Sequence, residues 1–235
     1  DGAMTELWQL GALELADRIR SKEVSSREVL EAHLDRVDRC NGALNAIVRV
    51  LADEARSAAD AADAAVAAGD DLGRLHGVPC TVKENIDLAG TPTTQGVRAL
   101  AEAVAPIDAP TVERMRAAGA IPFARTNLPD FGLRVHTDSE LHGPTLNPWN
   151  PEVTAGGSSG GEGASIASGM SPIGLGNDIG GSLRNPAHCC GIASLKPTVG
   201  VIPMATVVPP EDMVLSEQLM VVEGPMARRV ADVRA

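Results

Sequence analysis

The stretch GNDIGGSLRNPAHCCG, Gly176 to Gly191, sets one serine, Ser182, behind an aspartate, an isoleucine and two glycines, where a helix is expected to open. A short apolar strand ends just before it, so the chain passes from strand through a glycine turn to a serine and a helix. Four successive amides, those of Ile179, Gly180, Gly181 and Ser182, would then lie at a helix N-terminus. N–H groups there lack intrahelical acceptors and favour negative charge. Such amides suit the oxyanion of a tetrahedral intermediate, with Ser182 as the attacking group. A tight turn of purely structural purpose accounts for the same residues.

Upstream lies a second small-residue loop, GGSSGG, Gly156–Gly161. A phosphate cradle needs a lysine and a hydroxyl residue after its last glycine, whereas Glu162 and Gly163 follow here. The dinucleotide fingerprint fails as well, because GLGNDIG from Gly174 misplaces its third glycine. Gly156–Gly160 formally matches the GxSxG nucleophile elbow, yet the only later histidine is His188 and the preceding segment, NPWNPEVTA, is a poor central strand. Close backbone approach explains such a loop without any chemistry.

A serine nucleophile needs a base. His136 and His142 fall in a turn-rich connection, His76 opens a strand, and none has an obvious acidic partner in the sequence. Lys83 ends the apolar strand of HGVPCTVKEN, which would carry its ammonium into the interior, where desolvation favours the neutral amine. A salt bridge to Glu84 or Asp87 is the competing role.

At 235 residues the chain supports one large domain. Its net charge of −11 disfavours direct contact with nucleic acid or an anionic membrane. The four cysteines, Cys40, Cys80, Cys189 and Cys190, lack metal-site or disulfide-scaffold spacing, so reduced thiols and a cytoplasmic location are expected. No metal or cofactor is implied. Asp1–Ala3, ahead of Met4, reads as an expression scar. Ser25 and Glu28 form a capping-box pattern for a helix to about Arg39, with His33 at the edge of its apolar face. ALNAIVRV reads as a strand and the alanine-rich run Leu51–Ala68 as a helix stopped by Gly69. Helices alternate with short buried strands to the end, which predicts an α/β layered fold around a mostly buried sheet.

Taken together, GGSSGGEGA, GNDIGGSLRNPAHCCGI and GVPCTVKEN resemble the amidase signature family in kind and in order, with NPWNPEVTAGGSSGG, SLKPTVGVIP and EGPMARRVAD extending the likeness from about residue 5 onward. The resemblance implies a mixed β-sheet covered by helices on both faces and a Ser–Ser–Lys triad. In it Ser182 is the nucleophile, Ser158 sits on a cis peptide and bridges to Lys83, and the backbone from Ile179 to Ser182 is the oxyanion hole. Asp178 and Arg184 are expected to form an ion pair holding that turn, with Ser159 and Thr154 as further hydrogen-bonding candidates. His188 and Cys189 depart from the common pattern at positions that bear on packing. The implied activity is hydrolysis of a small-molecule carboxylic amide through a seryl ester, with a homodimer as the candidate assembly. The alternatives are the glutaminase component of an aminoacyl-tRNA amidotransferase or a non-catalytic, partner-dependent protein. Family members continue past EGPMARRVADVRA, so 1–235 is expected to be the N-terminal half of a longer catalytic domain.

Overall fold

The computed structural model describes residues 6–208 and 215–235; Asp1–Ala3 lie outside the described residues. Helix α1 (Ala12–Arg20) leads into α2 (Ser26–Leu44). The Ser25 hydroxyl accepts from the Glu28 amide at 3.1 Å, and Glu28 Oε2 accepts from the Ser25 amide at 2.8 Å, so the expected capping box forms. α2 runs past the expected end near Arg39 to Leu44, where Asn45 takes the left-handed cap conformation. The following strand β1 is therefore only Ile47–Val50, and Ala43 and Leu44 belong to the helix. Asn41 fixes the junction: its Oδ1 accepts from the amides of Ala46 and Ile47, at 3.0 and 2.9 Å. His33 is fully buried in this helix, not at its edge, and its Nδ1 lies 3.1 Å from the Gly169 carbonyl oxygen. Burial holds its imidazole down to about 4.

Helix α3 (Ala52–Ala68) packs through Ala55, Ala59, Ala62 and Val66 and stops at Gly69, as its composition predicts. Then come β2 (Pro79–Lys83), α4 (Pro110–Ala117), β3 (Ile121–Thr126) and the small hairpin β4 (Asp138–Ser139) and β5 (Gly143–Pro144). The second half contributes α5 (Gly160–Ala167), β6 (Ile173–Asp178), α6 (Arg184–Cys190), β7 (Ala193–Ser194), α7 (Leu215–Met220), β8 (Val222–Ala227) and α8 (Val230–Val233).

Six strands form one mixed sheet in the order β1-β3-β2-β6-β8-β7. Its centre, β3-β2-β6, is parallel, while β1, β8 and β7 join antiparallel. β2 and β3 are buried along their whole length, as parallel strands covered on both sides must be. α5 covers the face of Thr81 and Gly174, where Glu162 contacts both. Val112 of α4 clusters with Val82 and Leu175 on the other. Each such fully buried aliphatic side chain contributes about 2 kcal/mol. Because β2 and β6 are parallel neighbours, with Thr81 beside Gly174 and Val82 beside Leu175, their C-terminal ends emerge side by side. That end of parallel strands is where open α/β sheets place their ligands.

Candidate active site

Lys83 is the last residue of β2 and is fully buried. Its Nζ lies 2.7 Å from Ser158 Oγ and donates to Asn177 Oδ1 at 2.6 Å. Neither carboxylate offered by the sequence pairs with it. Glu84 meets Thr94 Oγ1 at 2.5 Å and His142 Nε2 at 2.7 Å, while Asp87 accepts from Thr93 Oγ1 at 2.7 Å and from the Val207 amide at 2.6 Å. The structure therefore removes the simple ion-pair role for Lys83. Desolvation pulls its ammonium down to about 7, outweighing the charges of Glu162, Asp178 and Glu223, which act to raise it. Burial thus shifts Lys83 toward the free amine.

Ser158 follows a cis Gly157–Ser158 peptide and stands just ahead of α5, in a loop walled by the segment after β3. Gly132 in that wall has φ +70°, and a Cβ there would come within 3.3 Å of Ser158 Oγ. The Ser159 amide donates to the Ser182 carbonyl at 3.2 Å, which ties the Ser158 loop to the bend carrying Ser182. The Ser159 hydroxyl makes only a long contact, 3.4 Å, to the Asn177 carbonyl. Thr154 Oγ1 accepts from the Gly156 amide at 2.9 Å and meets His136 Nδ1 at 2.8 Å, so it shapes the entry to the glycine loop. Among the described residues Ser182 Oγ has no hydrogen-bond partner, and the Ser158-to-Ser182 link is not formed. Such contacts often close only when substrate is bound.

The bend after β6 departs from the sequence reading in two respects. α6 begins at Arg184, two residues beyond Ser182, so the amides from Ile179 to Ser182 belong to the bend and not to the first helical turn. Asp178 also claims one of them: its Oδ1 accepts from the Gly181 amide at 2.8 Å and its Oδ2 from the Leu183 amide at 3.0 Å. The Gly181 N–H is thus already engaged by a side chain of its own bend. Arg184 completes the expected ion pair, with Nη2 2.9 Å from Asp178 Oδ1 and Nε 3.1 Å from Oδ2. Burial acts to raise the Asp178 carboxyl, but Arg184 and the backbone donors together hold it below its usual range.

Three further residues join the site that the sequence did not single out for it. Asn177 bridges Lys83 and Asn85, donating through Nδ2 to Asn85 Oδ1 at 2.9 Å, and so fixes the orientation of both side chains. Glu162, which in sequence counts only as an obstacle to phosphate, is wholly buried on α5. The one available signal is its place in the first turn of a helix otherwise built of small residues. Among the histidines, His142 does have an acidic partner, Glu84, contrary to expectation, but no histidine hydrogen-bonds to Ser158 or Ser182 among the described residues. Cys189 and Cys190 are free thiols, and Cys190 is buried with its Sγ 3.4 Å from the Ala155 carbonyl oxygen.

The architecture is that of the amidase signature enzymes. A solved bacterial aryl acylamidase of that group superposes with a TM-score of 0.88 at 34% identity, over 95% of this chain and 46% of its own. Residues 28–235 match the Amidase family, and the chain belongs to it. It is 51% identical to an indoleacetamide hydrolase of Bradyrhizobium diazoefficiens over 97% of this chain and 44% of that protein. It is 40% identical to a glutamyl-tRNA(Gln) amidotransferase component of Carboxydothermus hydrogenoformans, over 84% and 41% respectively. The chain thus spans less than half the length of these relatives.

Proposed function

We propose that this chain carries the catalytic centre of an amidase that cleaves a carboxylic amide through an ester on Ser182. The observation that carries the reading is the buried Lys83 Nζ, 2.7 Å from Ser158 Oγ and paired with no carboxylate among the described residues. Neutral Lys83 takes the Ser158 proton while Ser158 takes that of Ser182. Ser182 Oγ then bonds to the amide carbon. The oxyanion so formed is held by the amides of Ile179, Gly180 and Ser182 in the bend. The proton returns along the same path to the leaving nitrogen, the C–N bond breaks, and ammonia or an amine departs. Water, deprotonated by the same relay, attacks the ester; the carboxylate leaves and Ser182 regains its proton.

An apolar acyl group fits the surroundings. Phe131, Leu133 and Val135 are exposed on the segment whose Gly132 packs against Ser158. The indoleacetamide hydrolase relative supports an arylacetamide as the first substrate to try. The identity to an amidotransferase component supports a second reading, a glutaminase that works within a complex. Assaying the full chain with arylacetamides, aliphatic amides and glutamine, beside Ser182→Ala, separates them. Turnover of arylacetamides without a partner supports the hydrolase, and release of ammonia from glutamine alone supports the glutaminase. Equal rates for Ser182→Ala and the parent would overturn both.

A further inference from the structure

We infer that Glu162 is a positioning residue for the Lys83–Ser158 pair, a buried carboxylate that locks the helix behind Ser158 onto the strands around Lys83 and whose charge acts on the lysine. This rests on the Lys83–Ser158–Ser182 reading above and assigns a role to a group which that mechanism leaves unused.

The geometry is specific. Glu162 Oε2 accepts from Thr81 Oγ1 at 2.6 Å, and Oε1 accepts from Thr126 Oγ1 at 2.9 Å. Thr81 lies two residues before Lys83 on β2 and so shares its face of the sheet. Thr126 is the β3 residue directly beside Lys83 in the register. One carboxylate thus grips the lysine's own strand and its neighbour, from a helix that begins two residues after Ser158. β6 makes room for it. A Cβ on Gly174 would collide with Glu162 Oε2 and Thr81 Oγ1, so the carboxylate occupies the space a side chain would need. A surface-type glutamate on a helix of small residues gains nothing from this placement, and burying its charge is costly.

The charge has a consequence for Lys83. The other titratable and charged groups whose charges are coupled to this pair are Asp178 on β6, Glu223 on β8, which Thr111 of α4 holds, Arg125 on β3, whose Nη2 donates to the Ile86 carbonyl, and the Cys80 thiol on β2. Burial pushes the Glu162 carboxyl up to about 7, while its two hydroxyl donors and the cations Lys83 and Arg125 pull the other way. Burial moves Lys83 down and Glu162 up, toward each other, and their mutual charge interaction couples the two titrations. An ionised Glu162 favours the ammonium form of Lys83, so removing its charge favours the free amine.

The test is the pH dependence of fluorophosphonate labelling at Ser182 in the full chain, for the parent, Glu162→Gln and Thr81→Val. Gln keeps the shape and an acceptor but removes the charge. Its acid limb is expected to move to lower pH, with labelling at pH 6 raised about threefold, equivalent to half a pH unit. Thr81→Val removes a hydroxyl that stabilises the ionised carboxylate, and it should move the limb the same way even if Glu162→Gln does not fold. Unmoved limbs in the folded variants, with only a lower Tm, would reduce Glu162 to packing and overturn the inference. Absence of labelling in the parent would instead overturn the underlying catalytic reading.

Discussion

Lys83 and Ser158, seventy-five residues apart in the chain, meet at 2.7 Å in the interior. The lysine arrives on the end of a fully buried parallel strand and the serine on the loop that enters α5. The contact therefore depends on α5 being seated on β2. An amine in this position is deprotonated at a cost that the fold has already met by burying it.

The first expectation concerns pH. Lys83 is held at about 7, far below an ordinary lysine, and the proposed mechanism takes its neutral form as the base. Amide turnover or fluorophosphonate labelling should rise as pH increases through about 7 and then level off, and chelators should leave it unchanged. A rate that falls with rising pH through this range contradicts a lysine base.

A second expectation follows from linkage. Because the folded value lies below the unfolded one, the unfolded chain binds the extra proton between about 7 and 10.5, and the Lys83 contribution to stability rises with pH there. Lys83→Met has no such titration. Thermal melts from pH 7 to 10 should show the parent gaining on Lys83→Met steadily, and a constant difference would mean that Lys83 is not titrating abnormally.

The bend that carries Ser182 hangs on Asp178, whose oxygens serve three backbone amides, those of Gly181, Leu183 and Arg184, as well as the Arg184 guanidinium. Asp178→Ala orphans those donors and should cost about 3 kcal/mol as well as the reactivity of Ser182. Arg184, more than half exposed, is the cheaper partner: Arg184→Met should cost clearly less than Asp178→Ala. Denaturant titrations of both variants check the ranking, and equal losses would show that the arginine, not the amides, carries the bend.

Much of this site is written in local sequence. Lys83 stands out because it ends an apolar run and Ser182 because glycines precede it, whereas Ser158 is singled out only through the likeness to the amidase signature family. The elements that defeat a local reading depend on contacts made across the sheet. α2 outlasts Arg39 because Asn45 caps it and Asn41 turns back to the next strand, so Gly42 interrupts nothing. His33 is buried by the Gly169 turn, far away in the chain. Asn177 and Glu162 look like ordinary polar residues until β2 and β6 lie side by side and bring them to Lys83 and Thr81. The Gly181 amide looks free in sequence because its acceptor, Asp178, folds back over only three residues, a geometry that spacing alone does not fix.

The most direct test of the central claim is peptide mapping of the fluorophosphonate adduct on the full chain, made in parallel for the parent, Lys83→Ala and His142→Ala. The account places the adduct on Ser182 in the parent, abolishes it in Lys83→Ala, and keeps the His142→Ala rate within about tenfold of the parent, the scale of 1.4 kcal/mol. An adduct on Ser158 with Ser182 untouched, or labelling that survives Lys83→Ala but is lost in His142→Ala, would contradict it.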